Sequence, residues 1–115
     1  MSDYRHGSIW LINFEPQIGS EIKKTRPGLI ISKSNFNASR KKVTVLPLSS
    51  RQKDSGGTAR IFVQKSTQNG LDKNSEIIII DPATFDKRRL IRHIGVLEEL
   101  LLGEVKKKLR IYLDL

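Results

Sequence analysis

Clusters of cations, and a scarcity of every other reactive group, set the chemistry open to this chain. Lys23, Lys24 and Arg26 form one cluster; Arg40, Lys41 and Lys42 a second; Lys87, Arg88 and Arg89 a third; Lys106, Lys107 and Lys108 a fourth. Arg26 stands immediately before Pro27. The proline ring restricts the preceding residue to extended backbone, so the guanidinium leaves the chain in a defined direction. A planar, permanently charged fork held in this way suits a phosphate that gains charge in a transition state. The first three clusters adjoin expected strands or loops and predict a charged groove across the fold, whereas the last is accounted for by a helix end. Each cluster taken alone reads as a solvated face.

Other chemistries are thinly supplied. The chain has no cysteine, which removes disulfides, thiolate zinc sites, iron–sulfur clusters and cysteine nucleophiles. His6 and His93 are the two histidines, and neither sits in an HExxH or HxH pattern. The sequence therefore predicts no metal site and no cofactor. A catalytic histidine pair would require the two ends of the chain to meet, and a surface or capping role is the simpler reading. GxxxxGK[ST], GxGxxG after a strand and GxSxG are all absent. What remains is an excess of positive charge: 21 Lys and Arg against 12 Asp and Glu, net +9. Such a field attracts phosphates, so nucleic acid is the leading partner, ahead of an anionic membrane or an acidic protein.

These groups must be positioned by one small fold. A length of 115 residues predicts a single domain over 1–115, and 37% hydrophobic content suffices for a modest core. Met1 to Gly7 lacks the apolar stretch of a secretory signal, and no run approaches the ~20 residues of a spanning helix. A soluble, cytoplasmic protein is expected. Five strands are predicted, over 9–14, 28–32, 43–48, 60–64 and 76–80, each rich in β-branched or aromatic residues and bounded by Gly, Pro or Asp. Residues 89–93 read as a basic connection. From Val96 the period changes: Leu97, Leu100, Leu101, Val105 and Leu109 recur three or four apart, the pattern of an amphipathic helix. Its face of Leu97, Leu101, Val105 and Leu109 is expected to complete the core. The fold class is mainly β (α+β), a small curved barrel capped by a C-terminal helix.

The stretch from Gly7 to Glu21, with Ile9-Trp10, then Phe14-Glu15-Pro16 and Gly19-Ser20-Glu21, continues into Arg26-Pro27-Gly28-Leu29-Ile30-Ile31-Ser32. Together they resemble the MazF/PemK toxin family, which typically shows G-D-I-W, F-x-P-x-x-G-x-E and R-P-x-L-V-[IV]-S. Pro47-Leu48-Ser49-Ser50 resembles that family's PLTS segment. Asp86, Lys87, Arg89 and Leu90, with Ile94-Gly95 and Leu97, resemble its approach to the last helix. The resemblance covers nearly the whole chain. It implies an SH3-like barrel with a C-terminal helix, assembled as a homodimer. It also implies a metal-independent endoribonuclease that cuts single-stranded RNA and is silenced by an antitoxin, with which such toxins bind DNA.

The same resemblance assigns roles. Arg26 is the stabiliser of the phosphorane and a candidate proton donor, Ser49 a hydrogen-bond donor to a phosphate oxygen, and Glu21 the acceptor of the 2′-OH proton. Ser20, Lys23, Lys24, Thr25, Ser50, Arg51 and Lys53 flank them as RNA-binding candidates. Three departures stand out: Ser49 replaces threonine, Ser8 replaces aspartate, and Asp81-Pro82-Ala83-Thr84 occupies the place of a Q-x-R-T segment. The structural alternatives are an ion pair between Arg26 and Glu21, an ordinary strand-end hydroxyl at Ser49, and a loop acid at Glu21. Trp10 reads as core or dimer interface. Two other functions compete: a gyrase poison of the fold-related CcdB type, and a non-catalytic RNA-binding barrel, which the missing glutamine and arginine favour.

Overall fold

The computed structural model describes residues 4–14, 25–51 and 59–115. Among these residues, seven strands, a short helix and a long terminal helix follow in the order β1 (Ser8–Asn13), β2 (Thr25–Ile30), α1 (Ser34–Ser39), β3 (Lys42–Ser49), β4 (Arg60–Val63), β5 (Ser75–Ile78), β6 (Ala83–Asp86), a 3-10 turn (Lys87–Arg89), β7 (Leu90–Val96) and α2 (Glu99–Leu113). All pairings are antiparallel, along the path β4-β5-β3-β2-β1-β7, with β6 on β3. The mainly β class and the C-terminal helix are as the sequence predicts, while among the described residues the strand path is open rather than a closed ring.

β3 joins two layers. Its first half pairs with β6 from Lys42–Asp86 to Val45–Ala83, and its end pairs with β5 through Leu48–Ile77 and Ser49–Glu76. Unlike a strand with one solvated face, β1 is apolar at consecutive positions because both of its faces are covered. Ile9 belongs to one core cluster with Leu29, Leu46, Leu48, Ile77 and Val105, whereas Trp10 and Ile12 belong to another with Ile30, Val43, Val45 and Leu90. Trp10 is thus a core residue, stacked on Tyr4 with ring centroids 4.8 Å apart. Its indole N–H donates to Ser8 Oγ at 3.2 Å, and that hydroxyl donates to the Arg5 carbonyl at 2.6 Å. Helix α2 closes the first cluster with Val105, Leu101 and Leu109, as its periodicity predicts, but Leu100 points to solvent.

Three elements differ from the sequence reading. The helix α1 has no apolar face; it is held by the buried Asn37, whose amide donates to the carbonyls of Tyr4 and Ser32. β6 is short, has no fully buried residue, and is fixed through its ladder on β3 and the Phe14–Phe85 ring contact. Residues 90–96 form β7 rather than a connection. Their exposed Ile91, Arg92 and His93 hide the strand from a hydropathy reading, and two register irregularities against β1 blur its alternation.

Candidate functional site: a basic cleft at a strand fork

Two prolines shape the site. Pro27 in β2 and Pro47 in β3 bring no N–H to a ladder, and the β2–β3 pairing ends at Gly28–Pro47. Beyond that point β2 stays with β1, through Leu11–Pro27, Ile12–Arg26 and Asn13–Thr25, while β3 stays with β5 through Leu48 and Ser49. The strands part, and a cleft of about 650 Å³ opens in the fork. Arg26 of β2 and Ser49 of β3 both line it. Thr25, Ser50 and Arg51 line it as well. Glu21, Ser20, Lys23, Lys24 and Lys53 lie outside the described residues.

Ser49 is set for donation. Its hydroxyl accepts the Arg51 backbone N–H at 3.1 Å, a local turn bond that fixes the oxygen and leaves its own O–H available to a ligand. The cleft also contains cations that the sequence reading did not single out: Arg60 from β4, Arg92 from β7, and Lys73 beside Asp72. Arg60 Nη1 binds Glu76 Oε1 at 3.0 Å and the Arg51 carbonyl at 3.2 Å, so it braces the segment that follows Ser49. Glu76 is buried, 2% exposed. A carboxylate inside an apolar strand such as Glu76-Ile77-Ile78 needs a partner, and that was the signal in the sequence for a nearby cation. Arg92 carries no comparable signal, because the successive exposed residues of its strand do not read as β.

The cleft wall at Gly70, Leu71 and Asp72 is built by a buried polar network. Asn69 is fully buried; its side-chain Oδ1 accepts the N–H groups of Ser66 (3.0 Å) and Leu71 (3.1 Å), and its side-chain amide donates to the Gln64 carbonyl (3.0 Å) and to Glu98 Oε1 (3.1 Å). Ser66 Oγ donates to Glu98 Oε2 at 2.5 Å. Burial opposes ionisation of Glu98, but the Ser66 and Asn69 bonds outweigh it and hold the carboxyl below its ordinary value. The loop then presses on β7: a Cβ on Gly95 would lie 2.3 Å from the Asn69 carbonyl carbon, and one on Gly70, where φ is +70°, 1.8 Å from the Ile94 oxygen. Only glycine fits at these two positions.

The family described as PemK-like, MazF-like toxin of type II toxin–antitoxin system matches residues 5–113. The chain belongs to this family. It is 31% identical over 111 residues to endoribonuclease PemK of Escherichia coli, covering 94% of this chain and 80% of that protein. It is 27% identical over 120 residues to endoribonuclease MazF9 of Mycobacterium tuberculosis, covering 96% and 97% respectively. A solved MazE–MazF structure from Deinococcus radiodurans superposes with a TM-score of 0.80 at 23% identity, over 96% of each chain, and shows the shared fold.

Within this MazF/PemK-like chain, the departures noted in the sequence take definite places. Ser8 is the buried link between Trp10 and Arg5. None of Asp81, Pro82, Ala83 and Thr84 lines the cleft; Thr84 instead pairs hydroxyls with Thr44 across the β3–β6 ladder at 2.8 Å. Among the described residues no group of three or more His, Asp or Glu is placed to hold a metal ion, and no helix is long and apolar enough to cross a membrane.

Proposed function

We propose that this toxin-family endoribonuclease cuts single-stranded RNA at specific sequences by attack of the 2′-OH on the adjacent phosphorus, without a metal. The products are a 2′,3′-cyclic phosphate and a 5′-OH. One observation carries this reading: Arg26 and Ser49, on separate strands, line the same cleft beside further cations. A scissile phosphate bound in this cleft would meet both a guanidinium and a hydroxyl donor. Both interactions strengthen as the phosphorane gains charge, which is what lowers a barrier. Glu21, five residues before Arg26 in sequence, is the proposed acceptor of the 2′-OH proton. The departing 5′-oxygen takes its proton from water, and the hydroxide left behind takes up the proton that Glu21 accepted; a guanidinium gives up a proton poorly, so Arg26 serves as charge stabiliser.

Thr25, Ser50 and Arg51 at the cleft rim, with Ser20, Lys23, Lys24 and Lys53, are proposed to hold the neighbouring nucleotides. We further assign this chain a cognate antitoxin that silences it, a homodimeric assembly and a cytoplasmic site of action. Support comes from the family membership and from the fold shared with MazE–MazF. Incubation of the protein with a long unstructured transcript in EDTA should yield discrete fragments with cyclic phosphate ends. Intact RNA in that assay, with or without trapped gyrase–DNA complexes, would overturn the proposal. Ser49→Ala should lower kcat by about a hundredfold, the usual cost of one donor to a transition-state oxyanion.

A further inference from the structure

The cleft uses only part of the basic surface. Two sequence clusters that line none of it are brought together by the β3–β6 ladder. Lys42 pairs with Asp86, and the Lys87 N–H donates to the Lys41 carbonyl at 2.9 Å, so Arg40, Lys41 and Lys42 lie beside Lys87 and Arg88. The carboxylate at their centre, Asp86, is engaged by the Arg88 N–H (2.8 Å) and guanidinium (3.1 Å), and its carboxyl is held below the ordinary value chiefly by those bonds. Arg40, Lys41, Lys42 and Arg88 are exposed. One carboxylate against five cations leaves a strongly positive ridge.

The ridge stands at the opposite end of β3 from Ser49, ~23 Å away at the usual strand rise, yet it leads into the cleft by another route. The 3-10 turn that carries Lys87 and Arg88 runs directly into β7, whose Arg92 lines the cleft. Between them, Arg89 Nη1 donates to the Asn13 carbonyl at 3.1 Å, and Asn13 pairs with Thr25 of the cleft rim. We infer that the ridge of Arg40, Lys41, Lys42, Lys87 and Arg88 is a second phosphate-binding surface, which holds the single-stranded RNA flanking the cut site. The inference rests on the reading of the cleft as an RNA-cleaving site. Continuity with that cleft favours the substrate strand over duplex DNA as the occupant.

The test is the triple variant Lys41→Ala/Lys42→Ala/Lys87→Ala, with Lys→Arg at the same positions as the control that keeps charge. Two RNAs sharing one cut site serve as substrates, about five and about forty nucleotides long. KM for the long RNA should rise about tenfold while kcat on both and KM for the short one stay within twofold. The slope of log binding constant against log salt, read with a long 2′-O-methyl RNA that cannot be cut, should fall by about 2 for three lost phosphate contacts. The arginine variant should restore both. Equal effects on short and long RNA, or none on either, would overturn the inference, as would lost binding to a DNA duplex with RNA binding intact. A wild-type protein that binds the uncleavable RNA but cuts neither substrate would instead refute the cleavage reading and leave the ridge to be judged by the salt slope alone.

Discussion

Replacing Asn69 by alanine should cost this protein more stability than any change at an exposed position. The side chain is fully buried and makes four strong hydrogen bonds, to Ser66 N, Leu71 N, Gln64 O and Glu98. Alanine leaves two backbone N–H groups and one carbonyl without this partner, each worth about 1 kcal/mol net when buried, and removes a bond to a charged group worth about as much again. The expected loss is about 3–4 kcal/mol, a large fraction of the stability of a small domain. At about 4 °C per kcal/mol for a chain of this size, Tm should fall by roughly 12–16 °C. Chemical denaturation followed by tryptophan fluorescence would report it directly, because Trp10 is in the core. A loss below 1 kcal/mol would refute the claim that this network holds the cleft wall.

Two further outcomes follow from the same region. Gly95→Ala places a Cβ against the Asn69 backbone, so it should destabilise by at least 3 kcal/mol or prevent folding, and a soluble variant with unchanged Tm would contradict the packing described. Glu98, with its carboxyl held low, stabilises the fold above its unfolded value of about 4.3 and loses that contribution as pH falls through its lower folded value. Glu98→Gln should therefore be less stable than wild type by about 1 kcal/mol at pH 7, with the gap closing between pH 4.5 and lower values in paired thermal melts; a constant gap down to about pH 2 would contradict the assignment.

Part of the cleft lining was legible in the sequence because its signals are local: Arg26, Ser49, Thr25, Ser50 and Arg51 all line it, whereas Glu21, Ser20, Lys23, Lys24 and Lys53 lie outside the described residues. Arg-Pro at 26–27 and Pro-Leu-Ser at 47–49 fix both backbone and chemistry within a few residues, and the two prolines turn out to end the ladder that opens the cleft. The helix was legible from its period, since Val105, Leu101 and Leu109 pack as spaced. What stayed hidden depends on distant partners. β7 has exposed residues at three successive positions and is a strand only because β1 supplies its ladder. Arg92 was hidden with it. Asn69 looks like a turn residue in sequence; its importance comes from Glu98, brought to it by the fold. The helix α1 rests on Asn37 reaching back to Tyr4. The ridge joins two clusters far apart in the chain that only the β3–β6 ladder brings side by side.

The central claim is that a guanidinium from one prong of the fork and a hydroxyl from the other act on the same phosphate. Single-turnover cleavage of one RNA in EDTA, comparing wild type, Arg26→Ala, Ser49→Ala and the double variant, tests it most directly. Each single variant should slow the chemical step by about a hundredfold or more while RNA binding changes little, and the double should be less than additive because both groups serve one transition state. Cleavage by Arg26→Ala at the wild-type rate would contradict the account.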